Sequence, residues 1–326
     1  MPKVKYIPNS FQIGSDNDCG MKCYFCATRY LDGPRTDIGM DQFKEYIDKI
    51  YALGCEGVCL APVYGDPMAS PDFVDRVKYC SNLCNFAVDI TTNLLSYEEG
   101  MLEEMFECPT NNITFLVSCY GNTPELFRKI TGVDKFDLFL EKLKLMYKEL
   151  SKIKQRQTIY FIFRHKLETM PPEKLEKHRG DYEGCVLPDD AFSNPLYRII
   201  KLIQRTHHLV RLISRYSNCD MRPLMDESIP APMEEGDFLK HQDDLNAARP
   251  MNITTKKMWL SFSRPYIWGN GDISMCSSDF MKKLVIGNMS DPLDTVFGEG
   301  SLWEQMMEEK KAGMHRSICK SCGYYL

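Results

Sequence analysis

The sequence of 326 residues contains no apolar run approaching the roughly 20 residues that a membrane-spanning helix needs. Its first residues, Met1-Pro2-Lys3-Val4-Lys5-Tyr6, lack the apolar stretch of a secretory signal. Both absences read as a soluble, cytoplasmic protein with no membrane partner. Positive charge is not in excess either: 40 Lys and Arg stand against 45 Asp and Glu, a net charge of -5, which removes the electrostatic footprint of general nucleic-acid binding. No long internal repeat or low-complexity tract is present. Hydrophobic residues at 44% and charged residues at 26% lie near the averages of folded domains, which excludes a disordered or fibrous chain. The length suffices for one large domain or two of ordinary size. What is abundant is cysteine, with 14 residues. In a reducing compartment disulfides are not their default explanation, which leaves metal binding, redox chemistry and burial.

Two groups of cysteines stand out. Cys19, Cys23 and Cys26 fall within eight residues, and Cys319 and Cys322 lie at the end of the sequence with Cys276 upstream. Cys59 in Val58-Cys59-Leu60, Cys80 on a predicted helix and Cys119 after Phe115-Leu116-Val117-Ser118 read as buried small hydrophobes. Cys55, Cys84, Cys108 and Cys185 have no partner at ligand spacing.

The first two thirds of the chain alternates strand-like apolar runs with helical periodicity. Strands are predicted over 11–13, 57–63, 86–91, 113–118, 158–163 and 209–214. Helices are predicted over 40–53, from Ser70 and Pro71 as an N-cap and first-turn pair to 79, over 136–150 and over 196–204. Ser96 with Glu99 reads as a capping box for a helix ending before Cys108. Repeated strand-helix units imply an α/β fold with a parallel sheet, and six units are too few for a closed eight-stranded barrel. The expected architecture is therefore a partial (β/α)6 TIM-like barrel, open at one side, with its chemistry at the C-terminal strand ends. It spans residues 1–218. Residues 219–252 are rich in Pro, Met and acid and form a linker or lid insertion, whose Asp226, Glu227, Glu234, Glu235 and Asp237 read as a solvated acidic face. A small domain follows over 253–326, with a Trp268-Gly269-Asn270-Gly271 turn, a strand in Ile273-Ser274-Met275-Cys276 and a helix over 301–311.

Three thiolates on one short loop can hold three irons of a cubic [4Fe-4S] cluster and leave the fourth iron open to a substrate or cofactor. A zinc site is the alternative, although no fourth Cys or His lies at near spacing. The spacing C-x3-C-x2-C with Phe25 before the third Cys resembles the signature of the radical S-adenosylmethionine superfamily. In that family the open iron binds the amino and carboxylate groups of S-adenosylmethionine, and the reduced cluster cleaves it to a 5′-deoxyadenosyl radical. Tyr64-Gly65-Asp66-Pro67 resembles the family's Gly-Gly-Glu-Pro loop, which holds the methionine amino group, with Tyr64 for the first Gly and Asp66 for Glu. Thr92-Asn93 resembles Thr-Asn-Gly, with Leu94 for Gly. The resemblance further implies cofactor contacts at Ser118, at Arg128 and Arg164 as carboxylate partners, and at Phe25 near the adenine. It also implies a flavodoxin- or ferredoxin-type reductant.

Gly271-Asp272-Ile273-Ser274-Met275-Cys276, Ile286-Gly287-Asn288-Met289 and Cys319-Lys320-Ser321-Cys322 resemble the twitch extension, a shortened SPASM domain. The resemblance implies an auxiliary [4Fe-4S] cluster held by Cys276, Cys319, Cys322 and one upstream Cys. No Cys lies shortly before Gly271, which leaves Cys219, an open iron or a non-Cys ligand; a zinc knuckle is the alternative reading of the whole group. Relatives with such extensions oxidise or epimerise sugars and aminocyclitols, and others modify ribosomally made peptides. No peptide-recognition domain is evident before the first strand, which favours a small polar substrate over a peptide. An iron-sulfur electron carrier and a zinc-binding module are the non-enzymatic alternatives.

Overall fold

The computed structural model of the chain describes residues 4–14, 18–23, 26, 37–62, 65–107, 112–165, 180–183, 194–216, 264–277, 279, 282 and 284–312. Among these, β1 (Phe11–Ile13), β2 (Gly57–Leu60), β3 (Ala87–Thr92), β4 (Ile113–Cys119), β5 (Thr158–His165), β6 (Gly180–Glu183) and β7 (Leu209–Tyr216) build one sheet. Neighbours from β1 to β5 pair in parallel, as do β5 and β7, while β6 lies antiparallel on the outer edge of β7. With β8 (Tyr266–Ile267), β9 (Asp272–Ser274) and β10 (Val285–Asn288) beyond β1, the strand order β10-β9-β8-β1-β2-β3-β4-β5-β7-β6 runs from one edge to another without closing. This is the expected open partial barrel. The added edge strand β6 was not expected, since Gly180-Asp181-Tyr182-Glu183 carries no apolar alternation.

Cross-strand register explains which face is which. Ile13, Leu60, Ile90, Phe115, Ile159 and Val210 form one row across six strands, and the row beside it is Gln12, Cys59, Asp89, Thr114, Thr158 and Leu209. The first row packs into the apolar core with the helices; the second lies on the opposite, concave face and is largely polar. The core is completed by α1 (Met40–Ala52), which buries Phe43, Ile47 and Ile50, α2 (Phe73–Ser81), α3 (Met101–Met105), α4 (Pro124–Thr131), α5 (Phe136–Leu150), which buries Phe139, Leu143 and Met146, and α6 (Pro195–Gln204). Each such side chain contributes about 1.5–3 kcal/mol on burial. α4 has complete start and stop signals: the Thr123 side chain accepts from Leu126 N–H, Pro124 occupies the first turn, and Gly132 ends the helix in the left-handed conformation.

Two helix starts differ from expectation. Ser70 closes a 3-10 turn over Pro67–Ala69, itself capped by the Asp66 side chain, and donates its hydroxyl to Asp72, which takes the N-cap position, so α2 begins only at Phe73. α3 begins at Met101, without a Ser96–Glu99 capping box. Its N-cap Gly100 is left-handed, and the orphan N–H groups of Gly100 and Leu102 go instead to the buried carboxylate of Glu149 on α5, at 2.7 and 3.1 Å. Tyr97 donates its hydroxyl to the same carboxylate at 2.6 Å.

The C-terminal part continues the sheet. β8 (Tyr266–Ile267) pairs in parallel with β1, and β9 (Asp272–Ser274) and β10 (Val285–Asn288) extend it antiparallel. Gly287 lets β10 lie against Val296 of α7 (Leu293–Val296), and Asn288 holds the turn by donating to Asp272. Trp303 of α8 (Leu302–Lys311) packs on Phe297, which packs on Phe11, and its indole N–H donates to Tyr6 O at 2.7 Å. Among the described residues no helix is long and apolar enough to cross a membrane.

Two outcomes follow from the buried polar groups. Glu149→Ala, which leaves two helix N–H groups and a tyrosine hydroxyl in the interior without their acceptor, lowers unfolding stability by about 2–4 kcal/mol in denaturant titrations. His208 accepts from Gln157 N–H at 3.1 Å and bonds Leu150 O at 2.8 Å, and burial holds its pKa below 6.5. The unfolded chain therefore takes up this proton first as the pH falls. Its contribution to stability is complete above about pH 6.5 and is lost progressively below it, so His208→Gln flattens the stability profile between about pH 7 and 5.

Candidate active site

The cysteine loop follows β1 and lies over the C-terminal ends of the neighbouring strands. Several contacts fix it there. Asp66 N–H donates to Asp18 O at 3.2 Å, Lys22 N–H to Thr131 O at 2.8 Å, and the Lys135 ammonium to Gly20 O at 3.3 Å. A side chain at Gly132 would meet Lys22 O at 2.9 Å, so the end of α4 approaches the loop backbone more closely than any L-residue with a side chain allows. Lys22, Thr131 and Gly132 meet through backbone atoms and Lys135 through its ammonium, and no motif in the linear sequence pairs them with the cysteine loop.

The loops after β2 and β3 meet at Asp66. Its carboxylate is 2% exposed and accepts from Met68 N–H at 3.0 Å, Asn93 N–H at 2.6 Å and the Thr92 hydroxyl at 2.9 Å. Burial nevertheless outweighs these donors and pushes its pKa up to about 6. The Asn93 side chain turns the other way, donating to Cys19 O at 2.9 Å and Cys19 Sγ at 3.2 Å. Burial, with Asp66 and Cys26 adding to it, pushes the Cys19 thiol up to about 12. The thiol is thus neutral until a metal displaces its proton.

The remaining expected positions are placed as follows. Cys23 is buried and Cys26 half-buried, with Cys26 N–H donating to Cys23 O at 3.0 Å. Gly65 is left-handed and Pro67 opens the 3-10 turn. Ser118 is buried near the C-terminal end of β4, Arg128 is exposed on α4 one turn before Thr131, and Arg164 pairs in register with Arg215 at the end of β5. Phe25, Tyr64, Cys219, Cys319 and Cys322 lie outside the described residues, as does the 220–250 segment. Cys276 follows β9 and is half-buried. Cys59, Cys80 and Cys119 are buried as expected, Cys55 is buried as well, and burial raises all four thiols.

Leu94 replaces the glycine of the family phrase, yet it keeps the backbone that glycine favours, with φ 64, while its side chain is fully buried. The left-handed conformation costs roughly 1–2 kcal/mol for an L-residue. The donor set of the loop fits an iron-sulfur cluster: it supplies three thiols, and the nearby carboxylate of Asp66 is taken up by internal donors. Among the described residues no three His, Cys, Asp or Glu side chains converge on one point as a single metal ion requires.

The structure is thus a parallel, open α/β barrel with a thiol loop across its C-terminal edge. Residues 16–178 match the radical SAM superfamily, and the chain belongs to it. The matched segment includes Cys19, Cys23 and Cys26. A curated relative, a probable GTP 3′,8-cyclase of Thermococcus kodakarensis, is 24% identical over 155 residues; the match spans 46% of this chain and about half of that protein, 47%. Streptococcus suis SuiB bound to the precursor peptide SuiA has the same fold, at 15% identity and TM-score 0.53, covering 99% of this chain and 71% of that one. BtrN in complex with AdoMet and 2-DOIA matches at 13% identity and TM-score 0.51, covering 99% and 94%. The structure of native anSMEcpe with bound AdoMet and the Kp18Cys peptide matches at 16% identity and TM-score 0.53, covering 97% and 86%.

Replacing Leu94 separates strain from burial. Leu94→Ala keeps the left-handed strain and loses the buried side chain, whereas Leu94→Gly loses both. The Gly variant is expected to unfold at higher denaturant than the Ala variant by about 1 kcal/mol, the reverse of the usual order, with both below the parent.

Proposed function

We propose that Cys19, Cys23 and Cys26 hold the [4Fe-4S] cluster, and that S-adenosylmethionine lies across the loops after β2 and β3, against Gly65–Pro67 and the ends of β4 and β5. The bound cofactors supply reductive cleavage of S-adenosylmethionine to a 5′-deoxyadenosyl radical, removal of a hydrogen atom from substrate, and then either loss of the remaining electron or return of a hydrogen atom. The chain's own part is to hold and shield. Asp66 locks the two loops together, Lys22 and Lys135 pin the thiol loop, and the helix-backed sheet keeps water from one side.

The observation that carries this reading is the anchoring of the Cys19–Cys23 backbone at the C-terminal strand ends, by Asn93 from β3 and Thr131 from α4. The substrate is read as small and polar, a sugar or aminocyclitol that is oxidised or epimerised. Support comes from the BtrN structure of the same fold, which holds AdoMet and 2-DOIA. A second reading, modification of a ribosomally made peptide, is favoured by the peptide-bound SuiB and anSMEcpe structures of the same fold. Cys276, Cys319 and Cys322, with Cys219 as the fourth ligand, are proposed to hold an auxiliary [4Fe-4S] cluster that takes up the electron in an oxidation. The support is the sequence resemblance together with the continuity of β8–β10 with the barrel sheet, which would hold Cys276 in fixed relation to the first loop.

Anaerobic reconstitution with iron and sulfide, followed by dithionite and S-adenosylmethionine, is expected to yield 5′-deoxyadenosine. The Cys19→Ala, Cys23→Ala, Cys26→Ala triple variant is expected to yield none while retaining the iron of the C-terminal group. A filled parent protein that leaves S-adenosylmethionine intact with every sugar, aminocyclitol and peptide offered would overturn the enzyme assignment of these residues. Deuterium transfer from labelled aminocyclitol or from labelled peptide into 5′-deoxyadenosine decides between the two substrate classes. Cys219→Ala is expected to lose the auxiliary signal; full retention of its iron and spectrum removes Cys219 from the ligand set.

A further inference from the structure

Asn93 is held at two points before it reaches the cysteine loop. Its backbone N–H donates to Asp66 Oδ2 at 2.6 Å, and its side-chain Oδ1 accepts from Leu95 N–H at 2.9 Å. A backbone N–H can only donate, so it fixes which end of the carboxamide is oxygen. The Nδ2 end therefore faces Cys19. Its two hydrogens diverge, and the two acceptors in reach are Cys19 O at 2.9 Å and Cys19 Sγ at 3.2 Å. Asn93 is 4% exposed, so water has no access to substitute for it.

We infer that Asn93 is a positioning residue for the cluster, donating an N–H···S hydrogen bond to the Cys19 thiolate that sets this ligand's orientation and raises the reduction potential of the cluster it would hold. A donor on a ligating sulfur withdraws charge from it and stabilises the reduced, more negative state. Buried and aimed by Leu95 and Asp66, this donor needs no reorganisation when charge arrives. The inference rests on Cys19 being a cluster ligand, as proposed above.

The test is a redox titration of the anaerobically reconstituted full chain, following the reduced cluster signal that changes when S-adenosylmethionine is added. Asn93→Asp keeps an oxygen for Leu95 N–H and replaces the donor facing Cys19 with an acceptor; Asn93→Leu removes both functions. At the parent's midpoint potential the ratio of reduced to oxidised cluster is expected to fall about threefold or more in each variant, where a tenfold fall equals 59 mV for one electron. A merely structural role would lower the melting temperature and leave that ratio unchanged. Unchanged midpoints in loaded variants overturn the inference. If neither variant keeps its cluster, the parent decides: its iron-thiolate stretching bands in resonance Raman spectra are expected to shift between H2O and D2O, and the absence of a shift overturns the inference. Absence of any S-adenosylmethionine-responsive cluster in the parent instead sinks the assignment of Cys19, Cys23 and Cys26.

Discussion

Burial of Asp66 obliges its lone pairs to find donors, and the donors they find belong to different loops. Met68 N–H comes from its own turn, and the Thr92 hydroxyl and Asn93 N–H come from the end of β3. The backbone N–H of Asp66 itself donates to Asp18 O, next to Cys19. A carboxylate without these partners would cost several kcal/mol in the interior, so the loops cannot separate without exposing or stranding a charge. Its raised pKa shows that the compensation is incomplete, which is tolerable because the group need only be an anchor. The cysteine loop inherits its position from this arrangement, through Asp18 on one side and Asn93 on the other.

The sheet supplies the second constraint. Its alternation sends apolar rows to the helices and leaves a largely polar row on the opposite face, so the open barrel carries polar groups inside without giving up its core. An open barrel also leaves edges, and β1 would be one of them, a short strand with unpaired N–H groups directly before the cysteine loop. β8 covers that edge, taking Gln12 N–H and Gly14 N–H on Pro265 O and Ile267 O at 2.9 and 3.0 Å. Tyr266 lies so close to Gly14 that no side chain fits there. On the floor of the concave face Arg264 pairs with Asp89 of β3 and donates to Ser10. The C-terminal residues thus complete the barrel as well as extend it, and Cys276 is carried on a hairpin that shares the barrel's sheet.

Much of this could be read from the chain because the strands have short apolar cores and the helices have long periodic faces. All six parallel strands fall within a few residues of their predicted bounds, and the Trp268-Gly269-Asn270-Gly271 turn and the last helix are where the pattern put them. α4 went unread although Thr123-Pro124 and Gly132 mark its ends, because attention to apolar periodicity passes over an eight-residue helix with two buried side chains. The capping of α3 was not legible at all. Its acceptor, Glu149, lies about fifty residues away on a helix face that otherwise reads as apolar, and only tertiary packing brings it to Gly100. The same holds at the site: cysteine spacing announces a cluster loop, while the Thr131 carbonyl and the Lys135 ammonium, which hold that loop, reach it from a distant part of the chain and leave no local signature.

The departures from the family phrases become understandable in the same terms. Where a motif residue acts through its backbone, the requirement is a conformation and not a side chain. Leu94 meets the left-handed requirement of the glycine it replaces, and full burial of its side chain offsets a strain of roughly 1–2 kcal/mol with a hydrophobic gain of similar or larger size. Asp66 meets the requirement for an acid that ties two loops, since its reach is used up within Met68, Thr92 and Asn93. Asn93 is different in kind. Its position depends on its backbone, but what it offers Cys19 is a side-chain donor whose orientation Leu95 fixes, and no other residue type supplies an acceptor and a donor at that separation from so short a stem.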